Sequence, residues 1–238
     1  MQRNKNDFSD FEKFLPPLVH RLAIDILNAG GQCVIVGGWI RDRLLPIPID
    51  GTTDIDLEVF GLLYEKLYSL CKKYKIVAAY PHFGIIRLKN IDLSLPRTEI
   101  LLGKKYNDFQ VKLNPYLTFS QAARRRDFSV NAIGWNFLTQ EVLDPFDGIN
   151  AIKQKCLIPL TNHFKEDSYR ILRAAQLIAR FNFNPSKLLI TLAQQMNPSV
   201  VSKYHIQQTK NVFQKANYKK AATDFLRKID AKWENLLS

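Results

Sequence analysis

Residues 53–60 read TDIDLEVF, and this stretch decides the fold of the first half of the chain. Acidic and apolar residues alternate as they do in a β-strand, where residues i and i+2 share a face. Asp54 and Asp56 therefore point to one side, with Ile55 and Leu57 on the other. Two carboxylates held so close repel each other, and one is expected to protonate unless a cation lies between them. The stretch thus predicts a strand whose polar face binds a positive charge.

The bulk composition is that of an ordinary globular protein, with 238 residues of which 46% are hydrophobic. No stretch approaches the roughly 18 apolar residues that a membrane span needs, and the polar N-terminus is unlike a signal peptide. We therefore expect a cytoplasmic protein without a membrane partner. Cys33, Cys71 and Cys156 have no metal-binding spacing and are predicted to be buried thiols rather than a disulfide or zinc framework.

The positive charge is concentrated in the last third of the chain. The net charge is +12, and residues 1–150 carry 19 Lys and Arg against 17 Asp and Glu, whereas residues 151–238 carry 15 against 5. Lysine and arginine gain affinity for phosphates by releasing counterions, so the distribution favours a near-neutral unit followed by a surface that binds a polyanion. A lysine-rich surface that only keeps the protein soluble is the alternative.

The periodicity predicts an α+β fold followed by an all-helical segment. An amphipathic helix over Phe11–Ala29 ends at Gly30 and Gly31. The predicted strands are Cys33–Val36, Asp54–Phe60, Ile76–Ala79, Ile85–Leu88, Ile91–Leu95 and Phe109–Lys112. The further helices are Trp39–Leu45, Gly61–Lys73, Asp167–Phe181, Ser186–Gln195, Thr209–Ala216 and Ala221–Leu237. The predicted domains are an N-terminal helix within residues 1–30, a head over 31–150 and a helical neck over 151–238.

The stretch VIVGGWIRD places Gly37 and Gly38 between a strand and a helix. Backbone N–H groups left free at such a turn, together with the helix dipole, can bind a phosphate, and Arg41 adds a cation. A tight structural turn is the alternative. Asp54 and Asp56 follow within twenty residues, so phosphate ligands and Mg²⁺ ligands are predicted at one site. Nucleotidyl transfer needs this combination, because metal ions activate the attacking hydroxyl and neutralise the leaving triphosphate.

Four motifs in order then resemble those of a known family. GGWIRD at 37–42 followed by DIDLEVF at 54–60 resembles the first motif of the class II tRNA nucleotidyltransferases and bacterial poly(A) polymerases, in the polymerase-β-like nucleotidyltransferase superfamily. The later matches are RRDFSVNA at 125–132, DPFDG at 144–148 and EDSYR at 166–170. The resemblance implies a head built of a mixed sheet with flanking helices, followed by a helical neck.

The resemblance also implies roles for individual residues. Asp54 and Asp56 would bind Mg²⁺ and catalyse, and Gly37, Gly38 and Arg41 would bind the triphosphate. The residues implied to contact the ribose and the rest of the nucleotide are Arg126, Asp127 and Asn131. The residues implied to select the base are Glu166, Asp167, Arg170 and Arg173. The substrates would be CTP, ATP and the 3′ end of tRNA, with side chains replacing a nucleic acid template.

Several of these residues also have physical interpretations of their own. The run Arg124–Arg126 is predicted to begin a helical stretch, where it would oppose the helix dipole and need anions. Glu166 and Asp167 suit a helix start, and Asp167 with Arg170 would present an acceptor and donors on one face. A simple ion pair between these two is the alternative.

Asp92 lies on the polar face of its predicted strand, which suits a third carboxylate that assists metal binding or deprotonates the primer hydroxyl. An ordinary exposed aspartate is the alternative. The polar segment Thr98–Asp108 is predicted to be a mobile loop beside the site, with Lys104 and Lys105 facing RNA or triphosphate.

The chain departs from the family in two ways. The resemblance leads us to expect that the parts of class II enzymes called body and tail, which hold the tRNA elbow, are largely missing. The fifth motif, usually similar to S-x-ERI-x-x-EL, is reduced to Ser202–Ile206, reading SKYHI, which puts the bracing of the base-selecting helix in question. Three functions stay open: a compact enzyme that adds CCA or part of it, a poly(A) polymerase, and an RNA-binding module that needs a partner chain. A homodimer is also possible on this sequence.

Overall fold

The computed structural model describes residues 11–46, 54–101 and 109–237. These described residues divide into two compact units. The first contains the described part of 1–100 together with 111–125 and 131–149, and the second contains 126–130, the described part of 101–110 and everything from 150 onward. Each unit draws on separate stretches of sequence, and the domain boundaries at residues 30 and 150 stay a prediction.

Within the described residues, one mixed sheet of seven strands forms the first unit's centre. The strands of the chain are β1 (Gln32–Val36), β2 (Ile55–Phe60), β3 (Ile76–Tyr80), β4 (Ile85–Leu88), β5 (Ile91–Ser94), β6 (Arg97–Leu101), β7 (Phe109–Leu113), β8 (Gly134–Asn136), β9 (Val142–Leu143), β10 (Cys156–Leu157) and β11 (Asn184–Pro185). The order in the large sheet is β3-β4-β5-β2-β1-β8-β9, and β6 pairs with β7 in a separate sheet. Strand β2 runs antiparallel to β1 and parallel to β5, so the sheet is mixed as predicted.

The described residues form helices in both units. They are α1 (Pro17–Asn28), α2 (Gly38–Leu44), α3 (Tyr64–Cys71), α4 (Phe119–Ala123), α5 (Gly148–Lys153), α6 (Tyr169–Phe181), α7 (Lys187–Ala193), α8 (Lys203–Lys215), α9 (Lys219–Ile229) and α10 (Ala231–Asn235). Helix α1 packs on β1 through a stripe of apolar residues that includes Leu22 and Ile26, both fully buried. Proline at the first position suits its start, and Gly30 with φ of 85° ends it, as predicted from the two glycines.

The second unit is built around α6, which packs against α8 and α9. Ile171, Leu172, Ala175 and Ile178 give α6 a buried face in the 3.6-residue period. The parallel pair of β10 and β11, two residues each, accompanies these helices. The α+β class with a helical second part is thus confirmed, with a short strand pair that the prediction of an all-helical neck did not include.

Two helix boundaries in this unit differ from the prediction. Helix α8 begins at Lys203, six residues before the predicted start at Thr209, because the Ser202 hydroxyl caps it by accepting the His205 N–H at 3.3 Å. The single helix predicted over Ala221–Leu237 is two helices. The extended backbone of Asp230 separates them, and its carboxylate accepts the Lys232 N–H at 2.8 Å as the cap of α10.

Two predictions about the polar segments of the head need correction. Residues Arg97–Leu101 form strand β6 rather than the start of a loop, and Lys104 and Lys105 lie outside the described residues. Arg124 follows the last residue of α4, and a capping box at Thr118 begins that helix. The arginine run therefore lies at a helix C-terminus, where cations complement the dipole instead of opposing it.

Two features are absent from the described residues. No helix there is long and apolar enough to cross a membrane. In the same ranges, no group of three or more His, Cys, Asp or Glu side chains is arranged to hold a metal ion.

Candidate active site

The carboxylates of the opening stretch lie on one face of the sheet. Asp54 directly precedes β2 and Asp56 is its second residue, and both are exposed. Ile55 and Leu57 are buried, with 3% and 0% of their surface exposed. The predicted alternation is confirmed, and burial of the apolar pair fixes the register that turns both carboxylates outward.

The pairing of strands brings Asp56 next to two other predicted features. On one side Asp56 pairs with Val36, the residue immediately before Gly37, so the double-glycine turn starts beside the carboxylates. On the other side it pairs with Asp92 of β5, and Asp92 pairs with Arg87 of β4. We call Val36, Asp56, Asp92 and Arg87 the carboxylate row. Neighbours across a sheet at matching positions share a face, so the row places Asp56 and Asp92 together, and Asp54 lies on the same face two residues before Asp56.

Arg87 is a functional candidate that the sequence analysis missed. Its guanidinium donates from Nε to Asp92 Oδ1 at 2.7 Å and from Nη2 to Asp92 Oδ2 at 2.5 Å. These hydrogen bonds, with further attraction from Asp92 and Asp54, raise the pKa of Arg87 above its ordinary value. A side-chain cation thus already neutralises part of the row. The role of Asp92 as a third catalytic carboxylate stays a prediction. Both oxygens of this carboxylate accept hydrogen bonds from Arg87 in this structure.

The donor set at Asp54 and Asp56 fits a divalent ion such as Mg²⁺. Both are exposed carboxylates on one strand face, and carboxylate oxygens are hard ligands of the kind that Mg²⁺ prefers. Mg²⁺ is commonly held by one or two carboxylates, with waters and substrate phosphates completing its shell. A pair of aspartates therefore suffices, and a third protein ligand is not required.

The double-glycine turn differs in detail from the predicted phosphate cradle. Gly37 has φ of 74° and ψ of −134°, a conformation that glycine adopts at no steric cost, and α2 begins at Gly38. The Gly37 N–H donates to the carbonyl of Ile133 at 3.3 Å. That amide is therefore engaged within the fold, which corrects the expectation that it is free. Binding of the triphosphate by Gly37 and Gly38 stays a prediction.

Arg41 is buried inside the first unit, with 5% of its surface exposed. Its Nε and Nη2 donate to Asp42 Oδ1 at 2.8 and 2.6 Å, and its Nη1 donates to Asn131 Oδ1 at 2.5 Å. The network ties α2 to the segment around Asn131, two places that the sequence analysis linked to different parts of the nucleotide. Arg41 thus braces the turn from within, and contacts of Arg41 and Asn131 with a nucleotide stay predictions.

In the second unit, Asp127 and Arg173 form a close ion pair. Arg173 Nε donates to Asp127 Oδ2 at 2.5 Å, and the Phe128 N–H donates to Asp127 Oδ1 at 2.9 Å. Asp127 is 7% exposed. Attraction by this carboxylate raises the pKa of Arg173 above its ordinary value. Both side chains have fixed orientations, and Arg126 precedes Asp127 in the same unit.

The predicted base-selecting residues lie just before and at the start of α6. Asp167 has an extended backbone and lies outside the helix, which corrects the expectation that it shares a helical face with Arg170. Its Oδ1 accepts the Tyr169 N–H at 2.9 Å, and Arg170 Nη1 donates to the His163 carbonyl at 2.8 Å. Burial raises the pKa of Asp167, and Arg170 opposes that shift, so the two groups still interact.

Glu166 ends a short 3₁₀ turn over Asn162–Glu166, and its Oε1 lies 2.6 Å from His163 Nδ1. A second feature of this region was missed from sequence. The rings of Tyr169 and His205 stack with centroids 3.8 Å apart. The available signal was the departure of Ser202–Ile206 from the family's fifth motif, which the sequence analysis recorded as a loss.

Comparisons with known proteins show which family and which solved structures the chain is similar to. The family described as the Poly A polymerase head domain matches residues 33–158. The multifunctional CCA protein of Stenotrophomonas maltophilia strain K279a is 34% identical over 154 residues, covering 62% of this chain and 35% of that protein. The multifunctional CCA protein of Methylobacillus flagellatus is 36% identical over 163 residues, covering 68% and 38%.

Solved structures show the same fold. The Bacillus stearothermophilus CCA-adding enzyme in complex with CTP superposes with a TM-score of 0.70 at 19% identity, covering 92% of this chain and 53% of that one. The Thermotoga maritima CCA-adding enzyme complexed with tRNA gives 0.67 at 20% identity, covering 91% and 52%. The chain thus spans little more than a third of these curated relatives and about half of these structures.

Proposed function

Because the chain belongs to the Poly A polymerase head-domain family and is similar to multifunctional CCA proteins, we propose that it adds nucleotides from CTP and ATP to the 3′ end of tRNA. The added sequence is CCA or a part of it. The observation that carries the proposal is the carboxylate row. In it, Asp56 pairs on one side with Val36, which directly precedes the double-glycine turn, and on the other side with Asp92.

The reaction joins the terminal 3′ oxygen of the RNA to the α-phosphorus of the nucleotide and breaks the bond to the β-phosphate, releasing pyrophosphate. Asp54 and Asp56 would hold Mg²⁺, which when bound assists deprotonation of the attacking hydroxyl and neutralises the leaving group. The chain's own part is to hold these two carboxylates on a rigid strand, because their apolar neighbours Ile55 and Leu57 are locked in the core.

The second unit contributes the choice of base. Asp167 offers carboxylate oxygens and Arg170 offers guanidinium donors, the two kinds of group that recognise the pairing edge of a base. The Tyr169 N–H holds Asp167, and the His163 carbonyl holds Arg170. A base that left these groups without partners would lose about 1–3 kcal/mol for each one. The ion pair of Asp127 and Arg173 acts as a positioning element in the same unit.

A second candidate is a poly(A) polymerase, which would use ATP alone. The matched family is described as the Poly A polymerase head domain. The four motifs that this chain contains are those that tRNA nucleotidyltransferases and poly(A) polymerases share.

One assay separates these candidates. Purified protein with Mg²⁺ is given tRNA ending before the CCA sequence, after one C or after two C residues, with labelled CTP or ATP offered singly. We expect CTP to extend the first two ends and ATP to extend the third by one residue. Long ATP-only tracts on any end would identify a poly(A) polymerase. Absence of incorporation on all three ends would overturn nucleotidyl transfer and favour a binding module.

A further inference from the structure

Three aromatic side chains of the second unit form a cluster where α8 begins. The rings of Tyr169 and His205 stack at 3.8 Å with an angle of 12° between their planes. Tyr204 packs against His205 at 5.6 Å in a tilted arrangement. We call Tyr169, Tyr204 and His205 the aromatic cluster. Tyr204 and His205 lie in the stretch that departs from the family's fifth motif, and Tyr169 is the first residue of α6.

Hydrogen bonds hold the cluster in one arrangement. Ser202 Oγ, which caps α8, lies 3.1 Å from His205 Nδ1. Gln208 Nε2 donates to the Tyr204 hydroxyl at 2.6 Å, and the Tyr169 hydroxyl donates to Gln208 Oε1 at 3.4 Å. The rings are therefore ordered in advance, so a molecule that stacks on them does not have to order them.

The outer ring of the cluster faces solvent. Tyr204 is 66% exposed, although its hydroxyl is bonded and its position fixed. Lys203, the preceding residue, is exposed, and residues 151–238 carry an excess of ten positive charges. A rigid, exposed aromatic face on a basic surface has the composition of sites that bind single-stranded nucleic acid, where bases stack on rings and cations attract phosphates.

The cluster is joined to the proposed base-selecting group. The Tyr169 N–H donates to Asp167 Oδ1 at 2.9 Å, and His205 lies within electrostatic reach of the same carboxylate. A base whose edge meets Asp167 thus has an aromatic surface close by.

We propose that the exposed face of Tyr204, backed by His205 and Tyr169, is a stacking site for a nucleobase. The base belongs either to the free nucleotide or to the last residue of a single-stranded RNA end. This inference rests on the proposed function and adds to it a binding element in the second unit.

Binding without turnover tests the site. The full chain is titrated in EDTA with a fluorescently labelled short RNA ending in CC, with the same RNA whose last residue is abasic, and separately with CTP and ATP. The variants are Tyr204→Ala and Tyr204→Phe. Tyr218→Ala is the matched control, because Tyr218 is 43% exposed in the same unit and lies outside the cluster. Circular dichroism checks that every variant is folded.

We expect Tyr204→Ala to weaken, about tenfold, binding of the ligand that supplies the stacking base, either the RNA with its terminal base or the free nucleotide. The phenylalanine variant, which keeps the ring, should bind like the wild type, as should Tyr218→Ala. A loss confined to the RNA that still has its terminal base assigns the stacking base to the RNA, and a loss confined to CTP and ATP assigns it to the nucleotide. Equal affinity of Tyr204→Ala and wild type for all ligands would overturn the site. The site would also be overturned if Tyr204→Ala lost the same affinity for abasic and intact RNA while its affinity for CTP and ATP was unchanged. Because no turnover is measured, failure here is separate from failure of nucleotide addition.

Discussion

Asp54 and the residues of the carboxylate row show where reasoning from sequence succeeds and where it stops. The two-residue period of a strand was enough to place Asp54 and Asp56 on one face, because Ile55 and Leu57 could belong only to the core. Arg87 could not be found in this way. Its contact with Asp92 depends on the register of a hairpin, and neither residue has a local pattern that reveals it.

Arg87 should weaken binding of divalent ions by the free protein, because its positive charge lies in the carboxylate row and occupies Asp92. We predict that Arg87→Gln binds Mn²⁺ about fivefold more tightly, since one nearby like charge is removed. Titration followed by electron paramagnetic resonance measures this directly. Lys89→Gln on the same hairpin is the control, because Lys89 is exposed and has the same charge. Equal Mn²⁺ affinity of Arg87→Gln and wild type would show that the row is not part of the metal site.

Asp167 should reduce stability near neutral pH. Burial raises its pKa above the ordinary value of 3.8, so the folded state binds the proton more tightly than the unfolded state does. Stability must then fall as pH rises from about 3.8 through the raised pKa. We predict that Asp167→Asn gains in Tm relative to wild type over this window, while discrimination between CTP and ATP weakens.

Calorimetry between acid and neutral pH measures the difference in Tm. Asp224→Asn, which removes an exposed carboxyl of the same unit, controls for charge. A Tm difference between Asp167→Asn and wild type that stays constant with pH would contradict the prediction.

At the scale of elements, helices of seven or more residues were predicted, as were strands of four or more residues apart from β6. Shorter elements were missed or merged with a neighbour. Apart from β6, the strands that were missed are β8, β9, β10 and β11, which have two or three residues each, too few to show a two-residue period. The start of α8 was missed because its first turn is polar and its position is set by the Ser202 cap rather than by apolar residues. The arginine run was placed at the wrong end of a helix for the same reason, since α4 is short and is fixed by its capping box.

Strand β2 is tied to the segment after α4 by a buried ion pair. Glu58 is fully buried on β2, and Arg125 Nη2 donates to its Oε1 at 3.1 Å. Breaking such a pair leaves a charge in the core. We predict that Arg125→Ala lowers the free energy of unfolding by about 3 kcal/mol, toward the low end of the range for buried pairs because Arg97 remains within electrostatic reach of Glu58.

Urea unfolding measures the effect of Arg125→Ala. The neighbouring exposed residue supplies the control, and Arg124→Ala should stay within about 0.5 kcal/mol of wild type. If Arg125→Ala lowered the free energy of unfolding by less than about 0.5 kcal/mol, the ion pair of Glu58 and Arg125 would contribute little to holding β2 in place.

At the scale of the whole molecule, the fold class followed from the ordered motifs, whereas the strand order β3-β4-β5-β2-β1-β8-β9 did not. Strand order depends on contacts between distant parts of the chain, which no local pattern records. The same is true of the two units, each assembled from separate stretches, so that the segment 126–130 belongs with residues far along the chain.

The exposure of the three cysteines tests how the described residues pack. Cys33 and Cys71 are fully buried as predicted, and burial raises the pKa of their thiols to about 12 and about 11. Cys156 is partly exposed, which corrects the expectation that all three are buried. We predict one thiol that reacts with Ellman's reagent at neutral pH in the native protein and three after unfolding. Rapid reaction of a second native thiol would contradict the described core.

The most direct test of the account is whether nucleotide transfer depends on the two carboxylates of β2. Labelled CTP and ATP are supplied with Mg²⁺ and tRNA lacking its 3′ end, and incorporation by wild type is compared with incorporation by the double variant Asp54→Ala and Asp56→Ala. We predict incorporation by the wild type and none by the double variant, with the RNA affinity of the two proteins unchanged. Incorporation by the double variant at the wild-type rate would contradict the claim that Asp54 and Asp56 form the catalytic metal site.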